Sequence, residues 1–337
     1  MPLASDLIVD DAKFDAAKIS AATAALNERL IETQSSMPKW YEVGAEKFRQ
    51  MRWNGETALP KPVVIESGVD FKIPSREDGR EIPCRMFKPE NGQVKGVFMH
   101  IHGGGFVLQS EKHQDTFLKW FADNCQLAVV SIGYRLAPEH PFPAGPEDCF
   151  DAAEWLVKKS KPNYGADLMF IGGESAGGHL SLVTALHLLR TQPNFSLRGL
   201  LLHFGCYDLS MLPQARNFKR AGPLVLDPDI MERFTNAFLP DSSKEERRDP
   251  AVSPFYADFN EFGRAKLPPA LFTCGTEDPL LDDTLMMAVK WRCHGSEAIT
   301  KIYTGAPHGF ILFPPSQCED TGPAMEVTQQ FILEKLP

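Results

Sequence analysis

Short apolar runs alternate with stretches of helical periodicity from about residue 95 to the end of the chain. Strands are predicted over 94–102, 127–135, 168–174, 197–207, 269–277 and 298–304. Helices are predicted over 113–124, 147–160, 176–191, 282–294 and 325–335. Strands that alternate with helices of this length form a mostly parallel sheet with crossover helices, and several runs are apolar throughout, as strands buried on both faces must be. The sequence therefore predicts an α/β fold with a mostly parallel central sheet flanked by helices.

Two regions interrupt this alternation. Residues 1–58 are helical and amphipathic in places, and 208–265 form a long, proline-containing insertion between two predicted strands. Long connections in a compact domain are usually functional or disordered. We therefore expect a catalytic domain over 60–337 and a helical cap contributed by 1–58 and 208–265. Residues 63–73 and 81–88 flank a turn segment and predict an antiparallel hairpin at one edge of the sheet.

Composition excludes several classes of protein. The 337 residues are 43% hydrophobic and 23% charged, which is typical of a chain that packs a core. The net charge of -9 opposes binding to nucleic acid. The N-terminal residues lack a basic region followed by an apolar stretch, and no run is long enough to span a membrane, so we expect a soluble, cytoplasmic protein. Seven scattered cysteines without a CxxC pair predict free thiols and no metal site.

Residues 173–177 read Gly-Glu-Ser-Ala-Gly and match the GxSxG pattern of a nucleophile elbow. The pattern lies where a predicted strand ends and a predicted helix begins, which is the context that the elbow requires. In this turn the serine takes a strained backbone conformation, and small residues two positions to either side let strand and helix approach closely. Ser175 is therefore the predicted nucleophile.

Residues 102–106, His-Gly-Gly-Gly-Phe, follow the first predicted parallel strand. Three successive glycines leave backbone N–H groups unshielded, so that two of them, with the N–H of Ala176, can bind the oxygen that becomes negative in a tetrahedral intermediate. Gly104 is the strongest candidate donor, and Gly103 and Gly105 compete for the second position. The stretch lacks the GxGxxG pattern of a phosphate loop.

A serine nucleophile needs a neutral imidazole as base and a carboxylate that orients the imidazole. Asp278 follows the apolar strand 269–277, and His308 follows the next strand. The carboxyl ends of parallel strands carry the functional loops of such folds. The order Ser175, Asp278, His308 is also that of α/β-hydrolases.

Other histidines fit structural roles better. His179 lies on the helix that leads away from Ser175, where packing or capping is expected. His100 and His102 form an HxH pair on a strand, but the sequence offers no evident third metal ligand. His294 lies at a helix end, where a cation is favoured by the helix dipole.

The acid is less clear from spacing alone. Glu277, Asp282 and Asp283 flank Asp278 and also suit the start of the following helix. Spacing favours Asp278 but leaves these neighbours open. Glu174, inside the elbow, is expected to be a hydrogen-bond partner beside the nucleophile rather than a base.

The chain resembles the hormone-sensitive lipase family of α/β-hydrolases, which includes bacterial and fungal carboxylesterases and arylacetamide deacetylase. The resemblance covers about residues 60–337. It rests on five ordered motifs, at 102–106, 134–144, 173–178, 278–280 and 308–310.

This resemblance implies the α/β-hydrolase fold and identifies Asp278, the acid before Pro-Leu, as the third member of the triad. It also implies that 134–144 braces the structure, so that Glu139 and His140 are not catalysts. The chain departs from the family at Glu174, where aspartate is usual. The cap segments match the family less well than the core.

The expected activity is that of a cofactor-independent serine carboxylesterase acting on small to medium, apolar esters. Phe106 and Glu174 are expected to line the substrate pocket. Most apolar side chains of the second cap segment are expected to pack under the cap, with some lining the pocket: Met211, Leu212, Phe218, Leu224, Val225, Phe234, Phe238 and Phe255.

Three other functions remain open on the same fold. An amidase or N-deacetylase and a lactonase would use the same triad, and a non-catalytic ligand receptor would retain only the pocket. The expected partners are a small-molecule ester and water, without nucleic acid, and a homodimer is possible.

Overall fold

One eight-stranded sheet forms the centre of the computed structural model, which describes residues 8–219, 222 and 224–337. The strands are β1 (Val69–Pro74), β2 (Glu81–Phe87), β3 (Gly96–Ile101), β4 (Leu127–Ile132), β5 (Leu168–Glu174), β6 (Gly199–His203), β7 (Ala270–Glu277) and β8 (Ala298–Pro307). Their order in space is β1-β2-β4-β3-β5-β6-β7-β8. β1 with β2 and β2 with β4 are antiparallel pairs, and all the other pairs are parallel.

Helices cover both faces of this sheet. They are α1 (Ala21–Ser36), α2 (Trp40–Val43), α3 (Ala45–Asn54), α4 (Asp115–Cys125), α5 (Ala144–Tyr164), α6 (Ala176–Thr191), α7 (Pro213–Asn217), α8 (Pro228–Phe238), α9 (Leu281–Cys293) and α10 (Thr321–Lys335). Alternate side chains of β3 separate the two layers. Met99 packs in the cluster that includes residues of α5, α6 and α9, whereas Phe98 packs in the cluster that includes residues of α4 and α10.

The predicted α/β fold is confirmed, including the antiparallel hairpin at the sheet edge. Several strand boundaries differ from the prediction, and the strand predicted over 197–207, for example, covers only Gly199–His203. The strand predicted over 127–135 ends at Ile132, because the proline-rich loop 133–143 leaves the sheet there. The strand predicted over 298–304 continues to Pro307, which pairs with the last residue of β7 after a shift in register.

The N-terminal segment packs over the carboxyl end of β8. Leu26 and Leu30 of α1 belong to a buried cluster with Phe310. The side-chain amide of Asn27 donates a hydrogen bond to the carbonyl of Gly305 at 2.9 Å. Residues 1–7, 220, 221 and 223 of the two predicted cap segments lie outside the described residues.

Two expectations from composition concern the state of the cysteines and the presence of membrane-spanning helices. All seven cysteines are free thiols, as predicted, and only Cys293 is exposed. Within the ranges that the structure describes, no helix combines the length and the apolar composition needed to cross a membrane.

Candidate active site

Ser175 lies in the sharp turn between β5 and α6. Its backbone has φ +57° and ψ -119°, a region that L side chains rarely adopt. A Cβ at Gly173 or at Gly177 would collide with the carbonyl oxygen of Ile101, so both positions need glycine. The half-buried serine therefore presents its hydroxyl at the N-terminus of α6, as the elbow motif predicts.

Asp278 and His308 lie in neighbouring loops, directly after β7 and β8. His308 Nδ1 lies 2.8 Å from Asp278 Oδ2, and His308 Nε2 lies 2.9 Å from Ser175 Oγ. The other oxygen of Asp278 accepts a hydrogen bond from the Leu280 N–H at 2.9 Å. A carboxylate acceptor at Nδ1 assigns the ring proton to that nitrogen, which leaves Nε2 free to accept from the serine hydroxyl. The structure thus brings together the three residues that the sequence singled out.

Asp282 and Asp283, two of the acidic neighbours of Asp278, accept hydrogen bonds from other segments of the chain. Asp283 is buried, and one of its oxygens accepts from the backbone N–H groups of Tyr207 and Asp208 at 2.6 and 2.9 Å. Burial raises the pKa of Asp283 to about 8, against the effect of those two hydrogen bonds. Asp282 accepts from the backbone N–H of Gln214 at 3.0 Å. Geometry therefore favours Asp278 as the partner of His308.

The alternative histidines make structural contacts. His179 is buried, and its Nδ1 lies 2.7 Å from the carbonyl oxygen of Cys206. Burial lowers the pKa of His179 to about 4. His102 bonds the carbonyl of Gly103 at 2.8 Å and stacks on Tyr134. No group of three or more metal-ligating side chains occurs among the residues covered by the structure.

The glycine loop after β3 runs beside the nucleophile. Gly104 and Gly105 have φ +101° and +61°, and a Cβ at either would collide with Leu108 or with the ring of Phe234. No described residue accepts a hydrogen bond from the N–H groups of Gly103, Gly104 or Gly105. These donors remain available to a ligand, and which of them serves as an oxyanion donor stays a prediction.

Residues 134–144 contact the glycine loop and the elements next to it. The hydroxyl of Tyr134 donates to the carbonyl of His102 at 3.0 Å. Arg135 pairs with the buried Asp148 at 3.0 Å. Glu139 is exposed and pairs with Arg49. These contacts fit the bracing role that the resemblance implied.

Glu174 is fully buried below the elbow. His100 Nε2 lies 3.1 Å from both of its oxygens, and the amide of Gln114 donates to it at 2.8 Å. Burial alone would raise the pKa of Glu174, but the neighbouring His100 and Gln114 outweigh burial and hold the pKa below its ordinary value. Glu174 is thus an ionised hydrogen-bond partner beside the nucleophile, in agreement with the sequence interpretation.

A pocket opens above Ser175 and His308 between the sheet and the two interrupting segments. Phe106 and Glu174 both border this pocket, and their contact with a substrate stays a prediction. Of the eight apolar residues named in the second segment, Met211, Val225 and Phe234 line the pocket, whereas Leu224, Phe238 and Phe255 pack in hydrophobic clusters.

Sequence reasoning missed several other pocket residues. Trp40, Arg52 and Gln114 line the pocket, and Trp40 stacks on Phe234 with ring centroids 5.2 Å apart. The aromatic, amphipathic composition of residues 40–53 pointed to this segment but did not show which side chains face the pocket.

Comparison with known proteins places the chain in a family. The profile of a family described by the alpha/beta hydrolase fold matches residues 98–312. An AB hydrolase superfamily protein of Schizosaccharomyces pombe is 30% identical over 276 residues, which cover 77% of each chain. The carboxylic ester hydrolase LipN of Mycobacterium tuberculosis is 30% identical over 262 residues, which cover 75% of this chain and 67% of that protein.

The structure is also similar to solved structures of esterases. An esterase of Pyrobaculum calidifontis superposes with a TM-score of 0.78 at 28% identity, covering 92% of this chain and 97% of the esterase. The thermophilic carboxylesterase EstE1 from a metagenomic library superposes with a TM-score of 0.76 at 27% identity, covering 87% and 98%. The chain therefore belongs to the α/β-hydrolase-fold family, in its hormone-sensitive-lipase-like group of carboxylic ester hydrolases.

Proposed function

We propose that this protein is a serine carboxylesterase that cleaves small to medium, largely apolar carboxylic esters through an acyl-enzyme. The observation that carries the proposal is the hydrogen-bonded chain from Asp278 through His308 to Ser175 at the base of the pocket. Most of the side chains around the pocket are apolar, which supports apolar substituents on the ester.

In the first half of the reaction, the hydroxyl oxygen of Ser175 attacks the ester carbonyl while His308 Nε2 takes its proton. Asp278 keeps the imidazole in the required tautomer and stabilises the imidazolium that forms. His308 then gives this proton to the leaving alcohol. The products of this half are the free alcohol and an acyl group on Ser175.

In the second half, His308 takes a proton from water while the water oxygen attacks the acyl carbonyl. The bond between the acyl carbon and Ser175 Oγ then breaks, His308 returns the proton to Oγ, and the carboxylic acid leaves. The negative oxygen of each tetrahedral intermediate would be bound by the N–H of Ala176 and by two N–H groups from Gly103, Gly104 and Gly105. Such donors act only on the charge that develops in the transition state, so they accelerate the chemical step.

We also propose that residues 1–58 and 208–265 form a cap over a catalytic domain of residues 60–337. Support comes from the pocket, because α2 and α3 of the first segment and α8 of the second all contribute to its wall. The stacked rings of Trp40 and Phe234 join the two segments above the nucleophile.

The test is the hydrolysis of p-nitrophenyl esters with two to sixteen acyl carbons by wild type and by Ser175→Ala. We expect the variant to lose nearly all turnover, because removing the nucleophile leaves only binding and oxyanion stabilisation. Ser35→Ala, at an exposed serine on α1, is the matched control and should retain wild-type rates. Short and medium chains should react fastest.

Matched anilides and lactones on the same plate separate the esterase from an amidase, an N-deacetylase or a lactonase. Faster cleavage of the anilides would indicate an amidase or N-deacetylase, and faster cleavage of the lactones would indicate a lactonase. Ligand binding without turnover on any substrate would favour a receptor.

A further inference from the structure

Arg52, on α3, is a buried arginine in the wall of the substrate pocket. Its side chain is 5% exposed, and Nη1 donates to the backbone carbonyls of Leu59 and Pro60. Nε is buried and has no hydrogen-bond partner. Burial lowers the pKa of Arg52 to about 10, which leaves the guanidinium charged at neutral pH.

Comparison with the other buried arginines shows that Arg52 is unusual. Arg85 pairs with Asp115 and Asp70, and Arg247 pairs with Glu232. Among the described residues, no carboxylate lies within ion-pair distance of Arg52. A buried charge without a counterion is costly, so a site that keeps one next to a ligand pocket is suited to an anionic ligand.

The polar residues around Arg52 do not supply this anion. Glu174 also lines the pocket, but both of its oxygens are bonded to His100 and one also to Gln114. Thr57 lines the same pocket, and its buried hydroxyl oxygen has no partner. This hydroxyl can donate a hydrogen bond to a group that Arg52 binds.

Most of the other side chains that line the pocket are apolar. Trp40, Phe48 and Leu59 line it together with Arg52, Ser175 and His308. A substrate that fits this lining combines an apolar chain with an anionic group.

We propose that the enzyme selects esters that bear a carboxylate remote from the scissile bond, and that Arg52 binds this carboxylate. The proposal rests on the proposed esterase function. It changes the expected substrate from a wholly apolar ester to a half-ester or an equivalent acidic ester. The apolar wall contacts the methylene chain, and Arg52 compensates the terminal charge through charge-assisted hydrogen bonds.

The first experiment compares substrates on the wild-type enzyme. Monoesters of glutaric and adipic acid with p-nitrophenol are measured beside p-nitrophenyl hexanoate and beside the same monoesters with the free acid capped as a methyl ester. A hydrogen bond to a charged group contributes enough to raise kcat/KM by about tenfold or more, so we expect the free acids to exceed the neutral esters by that factor. Equal or slower cleavage of the free acids would exclude a carboxylate on the acyl half of the ester.

A second series places the carboxylate on the alcohol. The acetate ester of 4-hydroxybutanoate is compared with butyl acetate by following proton release. A preference for the acid in this series, rather than in the first, would also support the proposal. It would show that the carboxylate bound by Arg52 lies on the alcohol half of the ester. A preference in neither series contradicts it.

The variants test whether Arg52 is responsible. In Arg52→Gln the ratio of kcat/KM for acidic to neutral ester should fall about tenfold, mainly through KM, and Arg52→Lys should restore part of it. Lys47→Gln removes an exposed cation from the same helix and should keep the wild-type ratio. Because each ratio is measured within one protein, a smaller folded fraction cancels.

The outcomes separate the two proposals. An unchanged ratio in Arg52→Gln would contradict the role of Arg52 while leaving the esterase intact. Absence of turnover on every ester would instead contradict the proposed function.

Discussion

Glu174 illustrates how a single buried carboxylate can support the site without taking part in the chemistry. It directly precedes Ser175 and contacts His100 on β3 and Gln114 at the start of α4. His100 in turn lies 3.0 Å from the hydroxyl of Ser131 on β4. One carboxylate thus links three neighbouring strands and a helix below the nucleophile.

Replacement of this carboxylate should be costly for stability. In Glu174→Gln one amide group would face the amide of Gln114, so at least one buried polar group loses its partner. We expect the free energy of unfolding to fall by about 1–3 kcal/mol, measured by urea denaturation at pH 7. Because the pKa of Glu174 is held below its ordinary value, its contribution is present at neutral pH and is lost on acidification.

The control is Glu90→Gln, since the Glu90 side chain is 84% exposed and makes only a surface ion pair. Its effect should stay below about 0.5 kcal/mol. Equal losses in the free energy of unfolding for the two replacements would show that the buried hydrogen bonds of Glu174 do not stabilise the protein more than a surface ion pair does.

At the scale of helices and strands, the site depends on where elements end. Ser175, Asp278 and His308 directly follow β5, β7 and β8, and the glycine loop follows β3. Parallel strands carry all these ends to the same edge of the sheet. The interrupting segments then close the pocket from above, with α2 against α8.

The contact between α2 and α8 gives a measurable coupling. The rings of Trp40 and Phe234 are stacked at an interplanar angle of 9°. In a double-mutant cycle with alanine at both positions, we expect a coupling energy of about 0.5–1.5 kcal/mol in the free energy of unfolding.

The pair Trp40 and Phe255 is the matched control, because the ring contacts of Trp40 in the described structure are with Tyr41 and Phe234 and those of Phe255 are with Tyr256. Its effects should add to within about 0.5 kcal/mol. Additive effects at Trp40 and Phe234 would mean that the two segments do not stabilise each other through this stack.

For the whole molecule, Asp283 couples folding to pH. It joins the loop after β6 to α9 by accepting two backbone hydrogen bonds, while its second oxygen is buried without a partner. Burial raises its pKa from 3.8 to about 8. The folded protein therefore holds a proton that the unfolded chain has already lost between these two pH values.

The sign of the pH effect follows from this difference. The folded state binds more protons than the unfolded state between about pH 4 and pH 8, so this group makes stability fall as pH rises through that range. Asp283→Asn keeps an oxygen for the two backbone N–H groups and removes the titration. We expect its advantage over wild type to grow by at least about 1 kcal/mol from pH 5 to pH 8, since one pKa unit corresponds to about 1.4 kcal/mol.

Urea denaturation at a series of pH values measures this advantage. Asp167→Asn, at a side chain that is 56% exposed, is the control and should differ from wild type by a constant amount. A pH-independent difference for Asp283→Asn as well would mean that the folded protein does not hold this proton.

Local patterns in the sequence determined the elements and the nucleophile. The helix after Ser175 and the strand before it were predicted with the observed bounds, 176–191 and 168–174. These patterns are informative because hydrophobic periodicity and glycine spacing act over a few residues, where the backbone alone sets the geometry. The motifs around Asp278 and His308 likewise placed these residues at the ends of neighbouring strands.

Only the tertiary structure decided which side chains meet. Spacing left the neighbours of Asp278 open as partners of His308, and the contact of Asp278 Oδ2 with the His308 ring depends on how β7 and β8 pair. The pocket is a stronger case, since Trp40, Arg52 and Phe234 lie far apart in the chain and line one cavity. Their position results from long-range packing of the two interrupting segments on the sheet. No local pattern encodes that packing, because its free energy comes from surfaces that touch only after the chain has folded.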